Sequence, residues 1–307
     1  MNSLKEVGAV IVTFNPGGDF LTTLNSIATQ VVKVVIVDNG SSEDTISRIK
    51  KYGMLSDNVF LIENHNNFGI AKALNIGCKY LLSQNILFGV LLDQDSVVTP
   101  SMVDLLHEYA ISNKNCGIVG PLIIPQNLDI EKIRPRLKFV NKKSAFIFAR
   151  IHPSATPFKV AFNITSGSLC NLNIWKELGG FWEELFIDGV DNEYGLRLLS
   201  HGYETYIHPD AALCQTYGEQ RLVRVLGRDF FPTFHSDKRR YYASRNRILI
   251  WRRYALKQPF YLFWDFLSFT NTIMVIICCE DRKLAKMYYM LIGMRDGLLG
   301  KTGKFLV

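Results

Sequence analysis

No pair of cysteines in this 307-residue chain stands at the spacing of a metal or redox motif. Cys78, Cys116, Cys170 and Cys214 are scattered, and the adjacent Cys278 and Cys279 lie in an apolar run. Free, mostly buried thiols in a reducing compartment are expected. The opening MNSLKEVGAVIVTFNP has no basic stretch leading into a long apolar segment. It reads as a strand and not as a signal peptide, so we expect a cytoplasmic protein or one on the cytoplasmic face of a membrane. Internal repeats and low-complexity tracts are missing. With 48% hydrophobic and 21% charged residues, nothing points to extended disorder. Residues 13–19 (Thr-Phe-Asn-Pro-Gly-Gly-Asp) lack the basic residue of a phosphate loop after a first strand, which argues against a nucleotidyltransferase. The basic residues belong to no recognisable nucleic-acid module, so no nucleic-acid partner is expected.

The chain does carry a surplus of positive charge, +7. That balance suits a nucleotide or an anionic membrane surface. The first hundred residues alternate apolar runs with amphipathic segments. Strands are expected at 7–14, 31–37, 59–63 and 86–92, and helices at 19–29, 43–52 and 69–82. This alternation implies right-handed crossovers and a mostly parallel α/β sheet. Ligands of such sheets lie outside the carboxyl ends of the strands. Polar clusters at 13–15, 38–41, 64–67 and 93–96 all follow strands at that edge, and so bring Asn15, Asp38 and Asn67 to it. Further on, a helix is expected at 102–112, a strand at 118–124, a loop or hairpin within 125–160, and a helix at 193–201 ended by Gly202.

Asp93-Gln94-Asp95 ends the fourth strand. Two carboxylates there can share one hard divalent cation, Mg²⁺ or Mn²⁺, with phosphate oxygens, or they can be two solvated acids of a turn. Asp38 can accept hydrogen bonds from a base or ribose, or form an Asx turn with Asn39-Gly40-Ser41-Ser42. Lys72, just inside a helix opened by Gly69, can meet phosphate or stay solvated, while Ala73 and Gly77 suit close helix–sheet packing. Asp188, Asp191 and Glu193 sit where a loop runs into a helix; one of them can take a proton from a hydroxyl, or cap the helix. Arg239 and Arg240, with Tyr241, Tyr242 and Arg245-Asn246-Arg247, form a basic-aromatic cluster that suits a diphosphate, lipid phosphates or a solvated helix face. The apolar run 260–279 carries one charge, Asp265, between basic flanks. An interfacial helix on a membrane is the first reading, a helix packed on the protein the second, and a true span the third.

VIVTFNP (10–16), VIVDNGS (35–41), NNFGIAKALNIG (66–77), LLDQDS (91–96), TSGSL (165–169), ELGGF (177–181) and FIDGVDNEYGLRL (186–198) together resemble family 2 glycosyltransferases of the GT-A fold. The DQDS form and the segment around Asp191 look most like bacterial rhamnosyltransferases of surface polysaccharide synthesis, such as O-antigen. The resemblance implies a Rossmann-like GT-A domain over 1–225 and a C-terminal basic-aromatic and helical segment over 226–307, for which membrane association is the expectation. It implies a nucleotide site lined by Thr13, Asn15, Asp38 and Lys72, with Asp93 at the ribose and Asp93 and Asp95 at the metal. Asp191 would be the base, and Arg239 or Arg240 would meet the diphosphate. The implied donor is dTDP-L-rhamnose, transferred with inversion to a lipid-linked oligosaccharide acceptor at the inner face of the cell membrane. Another sugar donor, or binding without turnover, are the alternatives. In one place the chain departs from its relatives. Many carry a histidine shortly before a glycine after the base helix, where this chain reads Gln215-Thr216-Tyr217-Gly218, with His208 seven residues earlier.

Overall fold

The computed structural model describes residues 7–53, 57–125, 138–142, 145–149, 156–215, 223–225, 228–230 and 232–305. The chain forms two compact units. Unit 1 is Met1–Glu183 with Tyr194–Thr216, and unit 2 is Glu184–Glu193 with Tyr217–Val307.

Unit 1 is built on β1 (Val7–Thr13), buried along its whole length. On one side lie β2 (Lys33–Asp38) and β3 (Val59–Glu63), and on the other β4 (Phe88–Asp93), all parallel. Helices α1 (Phe20–Ala28), α2 (Glu43–Gly53) and α3 (Ile70–Ser83) make the crossovers. Continuous β-branched runs such as Val34–Val37 form strands here because helices cover both faces of the sheet. Registers Thr13↔Asp38, Val12↔Asp93 and Asp38↔Glu63 bring the strand ends to one edge, as expected.

Beyond β4 the sheet becomes mixed. After β5 (Ser96–Val98) and α4 (Met102–Ser112) come β6 (Cys116–Pro125), the hairpin β7 (Lys138–Lys142) and β8 (Ala145–Ala149), then β9 (Phe158–Val160), β10 (Leu169–Asn171) and α5 (Leu172–Glu177). Helix α6 (Val190–Ser200) and strand β11 (Glu204–Gln215) follow. The sheet order is β3-β2-β1-β4-β10-β6-β11-β5, with β9 on β11. The antiparallel β10 separates parallel β4 from β6. Several features depart from the sequence reading, and β5, β9, β10 and α5 were not expected at all. Helix α6 starts at Val190 and not at 193, so Asp191 lies in its first turn. The twelve-residue β11 was not anticipated; its burial alternates along its length, but His208, Pro209 and Asp210 interrupt the sequence pattern. The hairpin expected within 125–160 is present at 138–149, and the rest of that stretch lies largely outside the described residues.

Small residues allow the close layers. A Cβ on Gly77 of α3 would stand 2.3 Å from Val10 Cγ1 on β1. Cys78, Cys116 and Cys170 are buried free thiols, and burial pushes Cys116 and Cys170 up to about 12.

Unit 2 holds the short pair β12 (Val223–Val225) and β13 (Arg228–Phe230), then α7 (Asp237–Tyr254), α8 (Pro259–Cys279) and α9 (Lys283–Leu298). Ser236 caps α7 by accepting from the Arg239 amide. The basic-aromatic cluster is no solvated face: Arg240, Tyr241, Tyr242, Arg245 and Asn246 are all buried. Helix α8 is long and apolar enough to cross a membrane by length and composition, with 17% of its apolar window buried. Its inner stripe is Tyr261, Asp265, Phe269 and Ile276. Asp265 accepts from Arg247 Nε at 2.8 Å and from Trp251 Nε1 at 2.7 Å, which ties α8 to α7.

Gly77→Val is expected to lower stability by about 1–3 kcal/mol, the usual cost of overpacking. It regains less than about 1 kcal/mol of helix propensity. The shift in urea midpoint checks the sign.

Candidate active site

The residues singled out in the sequence divide between the units. Thr13, Asn15, Asp38, Asn67, Lys72, Asp93 and Asp95 belong to unit 1, and Asp191, Arg239 and Arg240 to unit 2.

In unit 1 the strand ends are wired together through Asp38, which is 1% exposed. Its Oδ1 accepts from Thr13 Oγ1 at 2.9 Å and Ser41 Oγ at 2.5 Å. Its Oδ2 accepts from the amides of Gly40 at 3.0 Å and Ser41 at 2.8 Å. The Asx-turn reading of Asp38 is therefore present in the fold, and the carboxylate shapes the β2 loop from inside. Gly40, at φ +92°, lies against the Asn66 backbone, where a Cβ would be 2.9 Å from a carbonyl carbon. Asn15, also left-handed at φ +47°, bridges to the same loop: its amide donates to Ser41 Oγ and its Oδ1 accepts from the Ser42 amide. Asn67 Oδ1 accepts from Asn39 Nδ2 and from the Gly69 amide, fixing the entry to α3. Lys72, half-buried, holds its ammonium 4.4 Å from the centre of the Phe68 ring.

At the end of β4, Asp93 and Asp95 flank Gln94, which faces the other way: its Oε1 accepts from the Phe14 amide and its carbonyl from Thr23 Oγ1. Ser166 Oγ accepts from the Asp93 amide at 3.2 Å and shares a hydrogen bond with Ser96 Oγ. Asp93 Oδ2 accepts from Gln215 Nε2 at 3.0 Å. Antiparallel pairing of β11 with β5, Gln215↔Ser96, puts that amide beside the acidic turn. Gln215 is buried, and among the described residues its Oε1 has no hydrogen-bond partner. Crowding by protein raises the Asp95 carboxyl from its ordinary range although much of the residue is exposed. Gln215 and Ser166 had not been singled out as site residues, although the departure at Gln215 and the TSGSL string were both visible in the sequence. His208 lies edge-on to Tyr109 instead, with ring centres 6.0 Å apart. Residues 216–218 lie outside the described residues.

In unit 2, Asp188 accepts from Arg239 Nε and Nη2 at 3.1–3.2 Å. Asp188 therefore does not cap α6. Asp191, half-buried in the first turn of α6, accepts from the Asn192 amide. Glu193 is wholly buried and accepts from Tyr254 Oη at 2.7 Å. The two arginines differ. Arg240 is buried, paired with Glu280 at 2.5 Å and bonded to Thr233, whereas the Arg239 side chain is 45% exposed. Lys286 completes the Glu280 cluster at 3.0 Å.

The family model for glycosyl transferase family 2 matches residues 9–179, more than half of the chain. The chain belongs to glycosyl transferase family 2. It is 33% identical over 312 aligned residues to the dTDP-rhamnosyl transferase RfbF of Shigella flexneri, covering 99% of this chain and 98% of that protein. Among solved structures it resembles the mannosyltransferase PcManGT of Pyrobaculum calidifontis, determined with GDP-Man and Mn²⁺. There the TM-score is 0.62 at 14% identity, over 98% of this chain and 89% of that one. GalNAc-T7, determined with UDP, GalNAc and Mn²⁺, gives a TM-score of 0.62 at 17% identity over 86% of this chain and half of that one. The expected GT-A fold, a mostly parallel sheet with added C-terminal helices, is thus the fold of this glycosyltransferase.

The basic cluster has a consequence for acid stability. Burial, then Arg239, Arg240 and Lys286, push His235 from 6.5 down to about 3. The folded protein holds this ring neutral while the unfolded chain protonates it below about 6.5. Stability associated with His235 is therefore intact above that pH and falls as pH drops from 6.5 towards 3. His235→Gln should flatten the dependence of unfolding free energy on pH in this window by one proton, measured by urea unfolding at stepped pH.

Proposed function

We propose that this glycosyltransferase moves L-rhamnose from dTDP-L-rhamnose, with inversion, onto a lipid-linked oligosaccharide acceptor for cell-surface polysaccharide such as O-antigen. The match to RfbF along nearly the whole chain carries the donor assignment. Thr13, Asn15, Asp38, Asn67, Lys72 and Asp93 serve the nucleotide, through the loops that the Asp38 and Asn67 hydrogen bonds shape. Asp191 takes the proton of the acceptor hydroxyl as its oxygen bonds to the anomeric carbon and the bond to the diphosphate breaks. Of the two arginines, Arg239 keeps the exposure that a diphosphate requires, while Arg240 serves the internal ion pair with Glu280.

The acidic turn fits a divalent cation. Among the described residues no three His, Cys, Asp or Glu side chains gather into a metal site. Asp93 and Asp95, however, are hard oxygen donors suited to Mg²⁺ or Mn²⁺, and Gln215 Oε1, without a partner among the described residues, belongs to the amide bonded to Asp93. Gln215 Nε2 donates to Asp93 Oδ2 at 3.0 Å, so a rotated amide would present its oxygen to a cation held by the turn. A bound cation supplies charge neutralisation of the diphosphate leaving group.

The enzyme works as a peripheral protein on the inner membrane face. Phe260, Phe263, Phe266, Met274 and Ile277 leave the outer side of α8 exposed, and Leu284, Tyr288 and Leu291 do the same on α9. Exposed Lys257, Arg282 and Lys283 match anionic headgroups. The Asp265–Arg247–Trp251 contact favours a helix lying on the membrane over one crossing it.

Purified protein should transfer rhamnose from dTDP-rhamnose to lipid-linked acceptors in Mg²⁺ or Mn²⁺. Asp191→Asn should abolish transfer with nucleotide binding intact, and Asp93→Asn should lose metal-dependent thermal stabilisation by the nucleotide. Turnover only with another sugar nucleotide rejects the donor; full activity of Asp191→Asn rejects the base.

Sedimentation with vesicles tests the membrane reading. Binding should require anionic lipid and fall at least tenfold in the Phe263→Ser/Phe266→Ser variant. Self-association of the protein without vesicle binding rejects it.

A further inference from the structure

One face of α7 follows the segment 184–193 from end to end within unit 2. Arg239 holds Asp188, Tyr242 stacks on Phe186 with ring centres 5.1 Å apart, and Ile250 lies 3.0 Å from where Gly189 would carry a Cβ. Tyr254 closes the series on Glu193. Positions 239, 242, 246, 250 and 254 recur every three or four residues, a single helical stripe.

Asn246 stands at the middle of this stripe, 1% exposed. Its Nδ2, with two hydrogens and one of them shared, donates to three carbonyls of one loop: Leu185 at 2.8 Å, Ile187 at 2.6 Å and Asp188 at 2.8 Å. Its Oδ1 accepts from Arg245 Nε at 3.0 Å, which leaves the amide one orientation. Arg245, equally buried, donates to the carbonyls of Leu185 at 3.0 Å and Gly303 at 2.5 Å. The loop needs such support. Phe186 at φ +65° and Asp188 at φ +62° are left-handed without being glycine, and Gly189 follows at φ +79°. Residues in that region persist only where their surroundings over-determine them. Two residues beyond Gly189, the chain has entered α6 and presents Asp191.

We propose that Asn246, braced by Arg245, is a positioning residue for the reaction: it holds the 185–188 loop in its left-handed form and thereby sets the position of Asp191. The inference rests on Asp191 being the base. A basic-aromatic string that looks like a phosphate clamp in sequence is, at this position, the mount of a carboxylate. Only an amide of this length reaches all three carbonyls and accepts from the arginine at once. Serine retains one donor, alanine none, and aspartate turns a donor into an acceptor facing carbonyl oxygens.

The test uses the full-length enzyme. The kcat should fall in the order wild type, Asn246→Ser, Asn246→Ala, by about 100-fold for alanine, the effect of misplacing a reacting group by about 1 Å. The KM for the sugar nucleotide should stay within about threefold, because Asn246 touches no donor group in the reading above. Hydrogen exchange should speed up at the amides of 185–191 in both variants and not in the sheet of unit 1. If Asn246→Ala keeps wild-type kcat at temperatures where it is folded, the proposal is overturned. The same holds if exchange rises uniformly along the chain. Should the alanine variant not fold, the wild type still decides: amides 187–191 exchanging as fast as an open loop would refute the clamp. Full activity of Asp191→Asn would remove the base and leave the exchange result to judge the clamp separately.

Discussion

Everything in unit 1 depends on the parallel pairing of β1 with β2 and β4. Because β1 is buried along its length, its place in the sheet is set by apolar contact on both faces and by ladders on both sides. The pairing decides where the strands end together. Thr13, Asp38 and Asp93 come to one edge because their strands are in register, and the side-chain hydrogen bonds then consolidate an edge that the backbone has already built.

Four donors surround the carboxylate of Asp38, so its charge is spent on the shape of the β2 loop. The acidic turn after β4 works in the opposite manner. Gln94 is held by the Phe14 amide and by Thr23, and Asp93 takes a donor from the distant Gln215 of β11 instead of from its own loop.

Unit 2 solves a different problem. Its segment 184–189 leaves a single 3-10 turn at Glu183–Leu185 and then carries the left-handed Phe186, Asp188 and Gly189. Helix α7 supplies the missing donors from Arg245 and Asn246. Burying a guanidinium and an amide is costly unless their hydrogen bonds are made, so the helix and the loop specify each other. The same helix uses Arg247 and Trp251 to fix Asp265, which keeps the charge of α8 inward while its aromatic side remains outside.

The alternation of strands and helices through β4, the helix at 102–112, the shared strand edge and the acidic turn were legible in the sequence, whereas β5 was not. They rest on periodicity and turn chemistry that act over a few residues. The start of α6 was misjudged by three residues because Asp188, Gly189 and Asp191 look alike as loop and as cap. The long β11 was hidden by its polar interruption, and with it the amide of Gln215 at Asp93, 122 residues away in the chain. The partners of Asn246, 58 to 61 residues away, were equally out of reach. By itself the sequence determined which residues carry charge, where strands end and which family the chain resembles. The tertiary structure alone decided which polar groups meet: a side-chain hydrogen bond spans about 3 Å, and only the folded path of the backbone brings such distant residues within it.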